Sequence, residues 1–354
     1  MTAEPNPNAR KRGEKARVAA AKPAAVRMRD VAAVANVDTS VVSRVLSGDQ
    51  RLAVRPETRQ RVLEAVARLG YRPNIAARTL KTAQTMAIGM VVPDFANAAY
   101  AEIARGAEQR AAELDYILLL ASGSIQDRLP MLEGRIDGLL YAIATSDHSG
   151  PNRLPERIPS LLVNRREPGL GPSIVGNDEE CAVVVMEYLI GLGHRRIAHI
   201  VAESAVDTGR RRTAGYLRAM SAAGLPVFPN LTAKASVDEA GGYQATLELL
   251  RRDSPPTAIF VATARWALGA LAACDELGLS VPEDVSIVAF SDVPIARYMR
   301  PALTTVQLPL VTMGRLAVEM LLELMSGEDV EDAMVDDPPV LTVRASAGPP
   351  PTRS

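Results

Sequence analysis

Thr39, Ser40, Ser43 and Arg44 crowd one short segment of DVAAVANVDTSVVSRVLSG, residues 30–48. A hydroxyl both donates and accepts, and a guanidinium can hold a planar edge through two parallel hydrogen bonds. Together they suit the reading of base edges in a nucleic-acid groove, where short side chains fit because a seated helix leaves little room beside the bases. What would position them is the apolar set around them. Val31, Ala32, Ala35, Val37, Val42 and Val45 fall where two helices meeting at a tight turn would press together. Asn36 tolerates the left-handed backbone needed at the bend, and Asp38 is suited to cap the second helix. Helix, turn and capped helix predict a helix-turn-helix unit. Thr39 and Ser40 would lie on its exposed first turn, Ser43 toward a base edge or phosphate, and Arg44 one turn along. An ordinary helical hairpin with a Ser-rich face fits this stretch too.

The next segments favour the first reading. RPETRQRVLEAVARLGYRPN begins with Pro56 at a first-turn position, sets Val62, Leu63, Val66 and Leu69 on one face, and stops at Gly70 before Pro73. A third helix of this kind would close a small three-helix core. NIAARTLKT, residues 74–82, follows as a linker with little apolar content, marginal as a helix by itself. Charge is uneven around this boundary. Residues 1–82 hold 17 Lys and Arg against 7 Asp and Glu, a balance of +10, and residues 83–354 carry −11. A basic end of this sign points to a polyanionic partner.

Beyond the linker, MAIGMVV, ILLLAS, GLLYAI, SLLVN, RIAHIVA, TAIFVA and VSIVAF are apolar strand patterns. Helical patterns alternate with them, among them Tyr100 to Leu114, Asp178 to Leu192 and Arg210 to Ala223. Such alternation implies parallel sheets covered on both faces, with strands enough for two lobes. Ligands in that architecture bind beyond the carboxyl ends of the strands, here the cleft between lobes.

MRDVAAVANVDTSVVSRVLSG with ETRQRVLEAVARLGYRPNIAARTLK resembles the head and hinge of the lactose-repressor family of bacterial transcription regulators. The likeness continues through IGMVVPDFAN, RIDGLL, LGHRRIAHI, GRRRTAGYLRAM, PTAIFVA, ALGALAACDELGLSVPEDVSIVAF and PALTTVQLP, covering about residues 26–346. It implies an all-α helix-turn-helix head and a two-lobed, periplasmic-binding-protein-like α/β domain of parallel sheets flanked by helices. It also implies a sequence-specific repressor that binds a near-palindromic operator as a homodimer and responds to a small effector. By the same resemblance Thr39, Ser40, Ser43 and Arg44 contact DNA, as do Asn74, Ala77, Leu80 and Lys81 of the hinge. Leu80 would wedge between base pairs in the minor groove, unstacking a step and kinking the duplex. Expected boundaries are a disordered basic arm over 1–25, the head over 26–73, the hinge over 74–84, the two-lobed domain over 85–346 and a disordered tail over 347–354.

For the effector, the resemblance assigns Arg212 of RRRTAG, whose guanidinium can hold vicinal hydroxyls or a carboxylate with two bonds. Phe95, Asn97 and Tyr100 follow the first strand, where they either reach the pocket mouth or pack the loop. Glu180, Thr263, Phe290 and Ser291 stand at or beside further family positions. Several of these depart from the pattern. Thr263 and Ala264 replace the usual Asn-Asp after the IFVA strand, Ser291-Asp292 stands for Asp-Asp, and Val237 occupies the place of an aromatic platform. The effector is expected to be a sugar or sugar derivative, but not an unmodified monosaccharide. Trp266, the single tryptophan, fits either an alternative apolar wall or packing at a helix start or dimer surface. SGSIQDRLPMLEGRIDG is short for the family, which trims a helix of the first lobe.

Other classes find little support. The three histidines, His148, His194 and His199, form no relay, and no zinc spacing, phosphate loop or nucleophile elbow is present, so catalysis, metal and cofactor are not expected. A free-standing solute-binding protein would need a signal peptide and no DNA-binding head. No run of 18 apolar residues predicts a membrane span, and the two cysteines, Cys181 and Cys274, fit buried thiols of a cytoplasmic protein. The C-terminal stretch has no leucine heptad, so no tetramer-forming coiled coil is expected.

Overall fold

The structure is a computed structural model that describes residues 26–47, 54–71, 84–142, 155, 157–202, 206–236 and 238–352. The chain divides into two compact units between Ala83 and Gln84. In the first, α1 (Met28–Ala35), α2 (Thr39–Ser47) and α3 (Pro56–Leu69) enclose a core of Val31, Ala32, Ala35, Val42, Val45, Val62, Ala65 and Tyr71. Asn36 ends α1 in the left-handed region, at φ 51°, and the Val37 N–H closes the turn on the Ala32 carbonyl at 3.0 Å. Asp38 caps α2 by accepting the Ser40 N–H at 2.7 Å. Pro56 starts α3 and Gly70, at φ 61°, stops it. One residue of the expected apolar face differs: Leu63 points outward, and Ala65 takes its place in the core. A core this small has room for the smaller side chain facing α1 and α2.

The second unit has two lobes. The first is built on a six-stranded parallel sheet, in order β11-β5-β4-β3-β1-β2. Its strands are β1 (Ala87–Val92), β2 (Ile117–Ser122), β3 (Gly138–Tyr141), β4 (Ser160–Val163), β5 (Ser173–Gly176) and β11 (Ala333–Val335). Helices α4 (Ala98–Glu113), α5 (Ile125–Leu132) and α10 (Leu310–Ser326) belong to it. The second sheet runs β12-β10-β9-β8-β6-β7. It comprises β6 (Ile197–Ala202), β7 (Thr232–Ala235), β8 (Ala258–Val261), β9 (Ser286–Phe290), β10 (Thr304–Gln307) and the antiparallel edge strand β12 (Val340–Thr342). Helices α6 (Asp178–Gly191), α7 (Asp207–Ala222), α8 (Glu239–Leu250) and α9 (Ala264–Glu276) cover it. Strands β1, β3, β8 and β9 are buried along their whole length, as parallel strands covered on both faces must be. The chain crosses between lobes after β5, β10 and β11, which gathers three connections toward one edge of each sheet. Among the described residues, no helix is long and apolar enough to cross a membrane.

Helices α4 and α10 pack backbone to backbone. A methyl group at Gly314 would meet the Ile103 carbonyl oxygen at 2.0 Å, and one at Gly106 would meet that of Val311 at the same distance. Gly314→Ala is therefore expected to force the pair apart and to cost about 1–3 kcal/mol, read as a lower urea midpoint with an unchanged slope. An unshifted midpoint would show that the two helices slide freely at this contact.

At the C-terminal end the expected disordered tail gives way to ordered chain. Ser346 is fully buried, and the Gly348 carbonyl accepts from Ser286 Oγ at 3.0 Å and pairs with His194 Nε2 at 2.9 Å. Pro- and Gly-rich composition suggested solvated coil, but the backbone here satisfies buried polar groups of the second lobe.

Candidate functional site

Two surfaces gather the residues singled out by chemistry. On the head, Thr39, Ser40 and Arg44 of α2 are exposed while Val42 and Val45 on its other face are buried, so the polar stripe stands on a sealed core. Ser43 is half-buried between the two. The Asp38 carboxylate has its pKa lowered by hydrogen bonds from Ser40 and by the charge of Arg44, and it stays ionised as the cap. Asn74, Ala77, Leu80 and Lys81 lie outside the described residues, as do the basic arm, Val237 and His148.

The second surface is a cleft of about 320 Å³ between the lobes, in the lower range of small-molecule pockets. Residues 96–100 and Asn164 of the first lobe face Thr208, Arg212, Thr263, Arg265, Trp266 and Ser291 of the second. Arg212 is the group most firmly held. Its guanidinium lies over the Phe290 ring, 4.2 Å from the centroid, donates from Nε to Asp178 Oδ1 at 2.7 Å, and donates from Nη1 to the Ala262 carbonyl.

Asp178, the first residue of α6, is fully buried and also accepts from Arg211 Nη1. Arg211 in turn donates to Asp207 Oδ2 at 3.0 Å and to the Gly176 carbonyl at 2.7 Å, and Asp207 accepts the Arg166 N–H of the first lobe at 3.0 Å. The floor of the cleft is thus a charge-balanced lattice that spans the crossover after β5. A carboxylate at the start of a helix is further favoured by the free N–H groups there.

Of the residues assigned to an effector, Asn97, Tyr100, Arg212, Thr263, Trp266 and Ser291 line this cleft. Asn97 and Thr263 spend their side-chain oxygens as caps, accepting the Ala99 N–H at 3.1 Å and the Arg265 N–H at 3.0 Å. Burial raises the Tyr100 phenol, with Arg212 and Arg165 opposing, so it remains a protonated donor. Trp266 is 3% exposed, with its indole N–H unpartnered among the described residues, as is Asn164 Oδ1.

Three of the assigned residues lie off this cleft. Phe95 stands exposed outside the cleft, in a shallow groove with Leu120 and Ala104, because the loop after β1 turns away before α4 begins. Glu180 lies on the surface of α6, paired with Arg218. Phe290 is fully buried beneath Arg212 and supports that side chain rather than facing the cavity. Sequence reasoning missed Asn164 and Arg265. A polar residue ending the SLLVN strand could have signalled the first, since strand carboxyl ends face the cleft. Arg265 stood one residue past the departures at Thr263 and Ala264.

Among the described residues, neither cysteine nor histidine offers reactive chemistry. Burial pushes both Cys181 and Cys274 up to about 12, leaving unreactive thiols. His194 bridges Thr257 and Gly348, and its pKa is lowered by burial. His199, stacked between Phe260 and Tyr216, is driven by burial down to about 4 and stays neutral.

Comparison with known proteins completes the picture. Residues 27–74 match the family described as bacterial regulatory proteins, lacI family, and residues 186–347 match the periplasmic binding protein-like domain. Catabolite control protein A of Priestia megaterium is 34% identical over 327 residues, 90% of this chain and 98% of that protein. Among solved structures, the lac repressor dimer bound to operator and the anti-inducer ONPF is similar over 92% of this chain and 99% of its own, with 27% identity and a TM-score of 0.78. The complex of the transcriptional regulator CelR with cellobiose is similar over 91% of this chain and 99% of its own, with 29% identity and a TM-score of 0.67.

Proposed function

Since this chain belongs to the lacI family of bacterial regulatory proteins, and is a DNA-binding transcription regulator rather than an enzyme, we propose that it represses transcription in the cytoplasm as a homodimer on a near-palindromic operator, under the control of a small effector in the inter-lobe cleft. The observation that carries the DNA reading is the exposed Thr39, Ser40 and Arg44 stripe on a capped helix whose other face is sealed. One such head makes few base contacts, so useful affinity calls for two, related by a two-fold axis.

The body offers apolar surface for that pairing. Ile117 and Leu120 are exposed on β2, an edge strand of the first sheet, Leu120 beside Phe95, and Tyr298 is exposed on the second lobe. Uncovered edges and apolar side chains of this kind favour association with a second copy. Leu80 completes the proposal as a minor-groove wedge, on the strength of the sequence resemblance alone. In the cleft, the Trp266 N–H and Asn164 Oδ1 offer a donor and an acceptor beside Arg212 to an effector, for which a sugar derivative with an apolar substituent is suited.

Selection of bound duplexes from a random pool tests the reading. Two inverted half-sites are expected in the consensus. Failure to enrich any sequence, or a consensus without two-fold symmetry, would overturn the operator-binding dimer.

A further inference from the structure

An ion pair joins the two lobes at the cleft. Asp94 lies in the loop after β1, its carboxylate fixed by the Ala96 N–H at 2.9 Å. Arg265, in the first turn of α9, donates from Nη1 to Asp94 Oδ2 at 2.6 Å across the gap. Its Nε lies 3.0 Å from Glu239 Oε1 at the start of α8, in its own lobe. Nearby, Ala98 of the first lobe packs against the apolar cluster of the second. The crossovers leave from β5, β10 and β11, toward one edge of each sheet, whereas Asp94 follows β1 and Arg265 follows β8, two or more strands away. The pair is therefore set off from the connections about which the lobes would turn.

We propose that Arg265 is a latch residue, whose bond to Asp94 holds the lobes closed. Glu239 makes the latch reversible. When the lobes part, the guanidinium keeps a carboxylate partner and is not left as an unpaired, largely buried charge, which would be expensive. Asp94, nearly half exposed, is rehydrated as it lets go. Both conformations are thus provided for, and the difference between them is small enough for a ligand to decide. This goes beyond the repressor reading, because it concerns the contact that sets the lobe angle and neither the DNA-reading helix nor an effector.

Trp266, the only tryptophan, follows Arg265 in sequence and lines the same cleft, so its accessibility reports opening. Acrylamide quenching of its fluorescence should be measured on the full chain without ligand. A partly exposed pair of this kind contributes up to about 1 kcal/mol, so Asp94→Asn and Arg265→Gln should each raise the quenching constant by roughly two- to fivefold. Raising NaCl from about 0.05 to 1 M should increase quenching in the parent protein and leave Asp94→Asn unmoved. Glu239→Gln, which spares the cross-lobe bond, should stay near the parent value. The latch is overturned if Asp94→Asn quenches like the parent, if Glu239→Gln has as large an effect, or if salt acts equally on parent and Asp94→Asn. Unchanged far-ultraviolet circular dichroism of Asp94→Asn, whose side chain is half exposed, separates opening from unfolding.

Discussion

Asp178→Ala is expected to cost about 3–5 kcal/mol of stability in the two-lobed body, because it removes the anion from a buried group of cations. Asp178 has no solvent exposure, whereas the side chains of Arg211 and Arg212 retain 17% and 10%. Without the carboxylate, the Arg212 guanidinium would remain pinned over Phe290 against the Ala262 carbonyl with its charge uncompensated. Arg211 would keep Asp207, so most of the penalty falls on Arg212. Asp178→Asn, which keeps the shape but not the charge, should fall between parent and Ala. Arg212→Ala should be milder, since Asp178 retains Arg211. The urea transition followed by Trp266 fluorescence reads all three within the second lobe, and a loss below 1 kcal/mol for Asp178→Ala would mean that water reaches the lattice. A practical consequence concerns the effector. Sequence alone makes Arg212→Ala a clean test of ligand response, but Arg212 also ties α7 to the start of α6 and the end of β8. Loss of response in that variant counts as loss of recognition only where its urea midpoint is preserved.

The elements with strong local signals were readable from the chain. Asn36, Asp38, Pro56 and Gly70 each have a backbone reason for their place, and all four end or begin a helix where expected. Long apolar strands such as AIGMVV were equally plain. Five strands were not, namely Ser173–Gly176, Thr232–Ala235, Thr304–Gln307, Ala333–Val335 and Val340–Thr342. They are three or four residues long, four of the five contain Ser, Thr or Lys, and all owe their conformation to neighbours far along the chain, so no local period marks them. The cleft divides in the same way. Arg212 and Tyr100, both on regular helices, were placed by the family resemblance and line the cleft. Asn164 and Ser291 stand just beyond strand ends in left-handed backbone, at φ 59° and 72°, and only the three-dimensional path of each turn aims them. Glu180 shows the converse, for an acidic residue near a helix start, grouped with the effector positions by resemblance, is paired with Arg218, 38 residues away on the neighbouring surface.

Arg44→Ala is expected to weaken binding to the selected operator by roughly 2–6 kcal/mol, because a symmetric pair of heads loses the same contact twice and each good contact to a base edge is worth about 1–3 kcal/mol. Ser40→Ala should act in the same direction with a smaller effect, as a single hydroxyl replaces a two-pronged contact. Neither change should disturb the head. Both side chains are exposed, the core residues Val42 and Val45 face away, and the backbone bond from Ser40 to Asp38 is retained by alanine, so only the support that the Ser40 hydroxyl and the Arg44 charge give the ionised Asp38 is lost. The measurement is competitive titration of operator against scrambled duplex at fixed salt. For a base-reading arginine, affinity for the operator falls while affinity for scrambled DNA changes little, so the specificity ratio collapses. If instead both fall together and the salt slope drops, Arg44 neutralises phosphate and fixes register without reading sequence. Discrimination would then rest on Thr39, Ser40 and the hinge, and the hydroxyl variants would be the ones to alter the preferred site.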